Sequence, residues 1–549
     1  AFLRLRKAVL VLTWQNTGDH CAPETFTYVN HLFPTRTGFT NGLEPTLFST
    51  LGAASVTVVA DTNYYPRAFP YFNSGGAQNI LFTLSNKIYN FAGGLGGATV
   101  TDFSNASAPT GYQFSFAQWR EYLYACNGAD LLQKSSTGAF ADVASTPKLT
   151  RVCAWGERLF GINNVASFTS GGTPYAASNY RYWISGIGNP EQFDAAIDST
   201  AYTDDIKDDG GPLVACAVLR DFVVVLKKSG VYVIEDTGGP IFAERKVSDY
   251  YGCEWPDSVV TLNNVMYWIS PTRNGEVVAF DGTQITPISP ALKRTFLDSR
   301  ADYESGFFNG LITGNFTGIT AATDGESIIW NALVLSNTTS GITSRQLYLN
   351  VPTGRFGYSE LLTNTNALIA LANNASQSAF MCVRPTALVS GANVFRFDSV
   401  KPGTTFQGRA ELYRGDGKTI NTIKNFSLRF AEYPNEGYVR SQLVDLFPTT
   451  ISAYSAYSGT PVLKISSTKN SGDAASKPES TAISPISATW NSATSSFDIS
   501  QNGNRSTSAS VFAFSLELTP NLWSSLVGIS VDYVPSGVKQ AGAKAGTWQ

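Results

Sequence analysis

The sequence predicts an all-β protein: a β-propeller of about six or seven blades, followed by a C-terminal β-sandwich or barrel domain. Three observations point there. Apolar residues rarely recur at helical spacing. In their place stand β-branched and aromatic runs bounded by Gly, Asn, Asp and Ser, which is how strands and their turns read. The runs come in pairs, and the pairs recur at intervals of roughly 40–60 residues, near the repeat length of propeller blades.

The elements follow in order. Residues 1–60 read as an N-terminal entry segment. Its opening "AFLRLRKAVLVLTW" has a basic start and a short apolar run, but no small-residue cleavage site follows before "QNTGDHCAPE", so no signal peptide is expected. Residues 61–401 hold the propeller. Seven strand pairs lie within it: "ILFTL" with "KIYNF", "EYLYAC" with "DLLQK", "RLFGI" with "YRYWIS", "FVVVLK" with "GVYVIE", "VMYWIS" with "EVVAF", "SIIWNA" with "RQLYLN", and "SAFMCV" with "NVFRFD". Several are preceded by a strand–turn–strand motif, as in "TRVCAWGERLFGI", "LVACAVLRDFVVVL" and "SVVTLNNVMYWI", which reads as the central hairpin of a blade. In "NGEVVAFDGTQITPIS", Gly275 opens a strand and Asp281–Gly282 reads as a hairpin turn. One helix is expected at "SPALKRTFLDS" (289–299), with Ser289 at the N-cap and Pro290 at the first helical position. After residue 402 a new β region begins with "GRAELYRGDGKTINTIKNFSLRF" and runs to 536. The Ser/Thr-rich stretch 465–487 reads as a loop within it, and 537–549 as an extended tail.

Composition narrows the function classes. A chain of 549 residues exceeds what one compact core holds, so more than one domain is expected. Charged residues make up only 15% against 43% hydrophobic, which suits an extended assembly surface. The 39 basic and 42 acidic residues show no strong basic run, which argues against tight nucleic-acid binding through counterion release. The six cysteines, Cys21, Cys126, Cys153, Cys216, Cys253 and Cys382, form no CxxC pair and read as buried thiols of a reducing compartment. No run approaches the length of a membrane-spanning helix; "LVACAVLRDFVVVL" is broken by Arg220–Asp221 and reads as two strands.

Candidate chemistry is sparse. Only His20 and His31 exist, so a nucleophile–histidine arrangement has few ways to form, and His20 beside Cys21 lacks further ligands at zinc spacing. The acidic stretch "TDDIKDDGG" carries Asp204, Asp205, Asp208 and Asp209. Its readings are a solvated loop, a cation site or a pair of catalytic carboxylates; Lys207 in its middle and the lack of an EF-hand pattern favour the loop. "GGLGG" (93–97) has no following helix to bind phosphate. Tyr64, Tyr65, Phe69 and Tyr71 form either a sugar-binding surface or part of a core or subunit contact, the latter favoured. Sequons at Asn105, Asn315, Asn337, Asn374, Asn425 and Asn504 are expected by chance in a chain rich in Asn, Ser and Thr. This reading assigns no catalytic residue, no cofactor and no metal ligand.

Residues 203–296 carry a resemblance. "DDIKDDGGPLVACAVLRDFVVVLKKSGVYVIED" and "YYGCEWPDSVVTLNNVMYWISPTRNGEVVAFDGTQITPISPALKRTF" resemble consecutive blades of the tail nozzle, or tail hub, proteins of short-tailed bacteriophages, also described as packaged-DNA stabilisation proteins. "TYVNHLFPTRTGFTNGLEP" (27–45) is similar to their entry into the first blade, and "GRAELYRGDGKTI" (408–420) to the sheet after the propeller. The resemblance is a series of short motifs across most of 20–430; 430–549 has no specific match. It implies a homo-oligomeric ring, a hexamer, at the distal end of a phage tail. Such a ring contacts adaptor, portal and fibre or spike proteins, meets the host envelope, and passes double-stranded DNA without reading its sequence. It implies a virion protein assembled in the host cytoplasm and no enzyme. The alternative from residue types alone is a carbohydrate-binding or glycan-degrading propeller; a propeller scaffold of the WD type lacks its signature.

Overall fold

The computed structural model describes residues 67–289 and 316–361 with short gaps, and the backbone of separate strands within 6–51 and 370–538. Every regular element in these residues is a strand, apart from one 3-10 turn at Pro256–Ser258. The expected helix lies outside the described residues beyond Ser289. So do His20, Cys21, His31, Tyr64, Tyr65, "GGLGG" and residues 539–549.

The architecture is a β-propeller. Five four-stranded antiparallel sheets follow one another, at 68–102, 115–142, 151–205, 213–248 and 260–287. A sixth, closing blade is built from 370–374, 379–385 and 392–396, with Thr46–Leu51 as its outer strand. The ring thus draws its last strand from the N-terminal entry segment. Between the fifth and closing blades stand four further strands, 316–361, whose outermost strand continues into a twelve-stranded sheet. The first strands of the second, third and fourth blades pack on one another, Phe316–Thr323 packs on the first strands of the fifth and closing blades, and Ala370–Asn374 packs back on Ala68–Phe72, which closes the ring. All seven expected strand pairs are neighbours in the structure.

The blade interiors explain why these strands read as continuous apolar runs. Side chains alternate across a strand, and here both faces are covered by neighbouring blades. In Phe222–Lys227, Val223 and Val225 pack with Phe160, Tyr182 and Ile234 toward the third blade. Val224 and Leu226 pack with Met266, Trp268 and Phe280 toward the fifth. Each buried valine or leucine contributes about 1.5–3 kcal/mol relative to exposure. The same alternation joins the first blade to the second through Leu81, Phe116 and Leu123, and the second to the third through Trp119, Tyr124 and Trp183.

The strand–turn–strand motif differs in place from the expectation. It forms the first and second strands of each blade, not the central hairpin, because two further strands are added on the outer side. Its turns share one geometry. Arg120, Gly156, Arg220 and Asn263 open two-residue turns at φ 55, 56, 58 and 53. That left-handed start suits the twist of a tight hairpin. Arg120 bonds Glu157 at 2.5 Å, and Trp155 Nε1 donates to the Asp221 carbonyl at 2.8 Å, so one blade's turn is tied to the next.

Asp281–Gly282 is likewise corrected. Phe280 pairs with Ile285, so the connection is the four-residue loop 281–284, not a two-residue hairpin turn. Asp281 Oδ1 accepts from the backbone N–H of Thr283 and Gln284 at 2.8 and 2.9 Å, while Gly282 takes φ 98. The side chain makes the turn by standing in for a backbone carbonyl.

After residue 402, the strands fall into two sheets. One joins 462–468, 511–518 and 406–413 to Phe26–Asn30. The other places the long strands 419–432 and 524–538 beside 32–34 and 39–41, in the twelve-stranded sheet. Arg6–Leu10 pairs with Ile529–Tyr533, so the apolar N-terminal run is an outer strand here. The last strand reaches Val538, two residues beyond the expected boundary at 536.

Candidate functional site

Two polar centres stand out in a largely apolar ring. The first crosses the propeller axis. Arg67 lies just before the first strand of the first blade, Arg151 begins that of the third, and Asp257 sits in the turn that leads into the fifth. Arg67 Nη2 reaches Asp257 Oδ2 at 2.5 Å and Arg151 Nη2 reaches the same oxygen at 3.6 Å. Arg67 also donates to the Phe114 carbonyl at the start of the second blade. First and fifth blades are not neighbours, so this contact spans the centre of the ring. The arginine side chains are 6% and 10% exposed, which makes this a desolvated pair whose arms depend on one another. Around it lie four free thiols, Cys126, Cys153, Cys216 and Cys253. Burial pushes Cys126 and Cys253 up to about 12, despite the opposing field of Arg151 on both, so they are neutral at physiological pH. Side-chain surroundings of Cys21 and Cys382 lie outside the described residues.

The second centre is the acidic stretch. It does not present converging free carboxylates. Asp205 is held by Arg181 in a two-point bond at 2.8 and 3.0 Å and by Lys207 at 3.0 Å. Asp208 accepts from Lys227, Tyr232 and, at 2.9 Å, Lys246. The Lys227 side chain is wholly buried and also donates to the Ile206 carbonyl at 3.0 Å. Burial works against the Asp208 charge, but the bonds from Lys227, Tyr232 and Lys246 outweigh it and hold the carboxyl well below the usual range. The same contacts act on Tyr232, whose hydroxyl is pushed up to about 12 by burial and by the hydrogen bond to Asp208. Asp204 accepts from Tyr202 at 3.1 Å and stays exposed. The loop is therefore an ion-pair hub that fixes the entry to the fourth blade. Among the described residues, no group of three or more His, Cys, Asp or Glu side chains is placed to hold a metal ion.

The aromatic candidates divide. Tyr71 is buried, its hydroxyl donating to Asn90 at 2.8 Å and accepting from Asn79 at 3.2 Å. Phe69 stacks on Phe116 of the second blade with ring centroids 5.8 Å apart. Both belong to the packing between blades, as the favoured reading had it.

Sequence reasoning missed the axial triad and Lys227. Each had a signal. Arg67 and Arg151 are single charges beside short apolar strands, in "YPRAFPYF" and "LTRVCAW". Lys227 ends the apolar run "FVVVLK", where a charge is tolerated only with a partner.

No protein-family model matches the chain, and no curated protein matches it. Solved structures are similar in fold. The WD40 repeats of RRP9 align with a TM-score of 0.38 at 10% identity, over 64% of this chain and 100% of theirs. U3-55K aligns at 0.38 and 11%, over 63% and 99%. YCF48 from Cyanidioschyzon merolae aligns at 0.37 and 11%, over 64% and 98%. Likenesses at this level carry no activity to this chain; the propeller rests on its strand order and blade packing.

Proposed function

We propose that this protein is a structural virion component, a tail nozzle or hub of a short-tailed phage, which assembles as a closed ring of about six copies. The observation that carries the reading is the motif series at 203–296. Its acidic loop, strand pairs and Gly-Cys turn fall in consecutive blades, and its features have structural work to do: Asp208 anchors the loop, and Gly252 packs on the preceding blade. Portal, adaptor and fibre or spike proteins are the partners this role requires, with the host envelope met during infection.

The axial ion pair bears on where DNA would pass. An axis crossed by Arg67 and Asp257 leaves no route through a single propeller, so the conduit is the lumen enclosed by several copies. A wall with little charge and a net charge of −3 suits a duplex that must slide without being held.

Native mass measurement and electron microscopy of the purified full chain test the proposal. A closed ring with an axial opening is expected. A monomer that binds an oligosaccharide in its propeller would overturn it in favour of the carbohydrate reading.

A further inference from the structure

We propose that Cys153 and Cys216 form a latent cross-link between the third and fourth blades, closed to a disulfide by a small oxidant of the azodicarboxamide class. The two residues lie mid-strand on Arg151–Trp155 and Leu213–Leu219, the first strands of adjacent blades, which pack side by side around the axis. Both are free thiols, and both pack on the same hydrophobic cluster, beside Phe160, Val223 and Val225. The Cys153 thiol is the largest influence raising the Cys216 thiol, which agrees with their placement on packed strands. Both are only part-buried, whereas Cys126 and Cys253 are sealed in the core. Packed strands, a shared cluster and partial exposure of both residues therefore coincide in this pair, among the described cysteines.

The chemistry balances with the named oxidant. The Cys153 thiolate adds to the N=N bond and gives a sulfur–nitrogen adduct. The Cys216 thiolate then attacks that sulfur; the S–S bond forms, the S–N bond breaks, and the reagent leaves as its hydrazine with the two electrons and two protons of the thiols. The neighbouring Cys153 thiol, and then burial, hold the Cys216 thiol well above its ordinary range. Cys216 is therefore assigned the second step, and closure accelerates with pH as its thiolate fraction rises.

The test treats the native full chain with diamide after removal of reductant, blocks residual thiols by alkylation, and maps peptides without reduction. The expected product is one intrachain peptide pair joining Cys153 to Cys216, two hydrogens lighter than the separate peptides. It is lost in Cys153→Ser and in Cys216→Ser and kept in Cys126→Ser. Its formation rate rises by up to about tenfold per pH unit below the thiol range. The same treatment in denaturant gives mixed pairings, which shows that the fold selects the pair. Recovery of both cysteines alkylated from the treated native chain, or their pairing with other cysteines or a second chain, would overturn the proposal. If the serine variants fail to fold, the wild-type peptide map decides alone.

Discussion

Asp208 gathers two lysines and a tyrosine, one of the lysines wholly buried. Removing Lys227 leaves a carboxylate that was positioned for it, so Lys227→Met is expected to cost about 3 kcal/mol in urea denaturation. The pH dependence follows from the direction of the shift. A carboxyl held below its unfolded value adds stability that is full above about pH 4 and is lost as pH falls through the folded value. Asp102, Asp198 and Asp205 are shifted the same way, so the loss on acidification is shared. Unfolding free energies measured from pH 6 down to pH 3 are expected to fall less steeply in Asp208→Asn than in the parent. An equal slope would remove Asp208 from the hub. Asp281 is a different case. It is exposed and bonds only backbone N–H groups of its own loop. Asp281→Asn, which keeps an accepting oxygen, is expected to melt closer to the parent than Asp281→Ala does.

At the scale of the element, the blade is defined as much by its connections as by its strands. Gly252 shows why. A Cβ there would lie 2.0 Å from the Lys228 carbonyl oxygen and 2.6 Å from that of Lys227. The obstacle is backbone and has no rotamer to adopt. The neighbouring Cys253 N–H donates to the Lys227 carbonyl at 2.8 Å, and Trp268 Nε1 donates to the Gly252 carbonyl at 2.8 Å. One glycine thus seats the linker between the fourth and fifth blades. Gly252→Ala is expected to lose at least about 2 kcal/mol, read as a lowered urea midpoint, with Gly138→Ala as a comparison at a position with open space and no positive φ. Trp268 and Trp330 act similarly, each buried and each donating to a backbone carbonyl near the blade entry, Gly252 and Ser258. Truncating Trp330 to Ala is expected to cost about 3–5 kcal/mol.

At the scale of the whole molecule, the axial contact and the strand exchange decide how the ring behaves. Asp257→Ala leaves two desolvated guanidinium groups facing each other, and a loss of about 3–5 kcal/mol is expected from denaturant titration. A loss no larger than that at an exposed surface position would mean that the contact across the axis does not hold the ring. The N-terminal segment contributes to three separate sheets, through Phe26–Asn30, Leu32–Pro34 with Phe39–Asn41, and Thr46–Leu51. Such interleaving couples the propeller to the strands after residue 402.

The strand pairs, their order and the all-β class were written in the sequence, because a strand buried between two blades must be apolar on both faces and must end in a turn. "FVVVLK" and "GVYVIE" are legible for that reason alone. So were the packing roles of Phe69 and Tyr71 and the burial of Cys126 and Cys253, since local composition dictates burial; Cys153 and Cys216, expected buried, are only part-buried. The loop after Phe280 was only half legible: Asp-Gly announces a turn, but the register that makes it four residues long is set by the pairing of Phe280 with Ile285. Three features were decided only by the tertiary structure. The pairing of Thr46–Leu51 with Ala392–Arg396 joins strands hundreds of residues apart. The meeting of Arg67 with Asp257 requires the ring to close before either charge finds its partner. The contact of Cys153 with Cys216 requires two blades to be wedged side by side. Local propensity and periodicity specify each blade, whereas contacts between blades depend on the curvature of the ring, which no single stretch of sequence encodes.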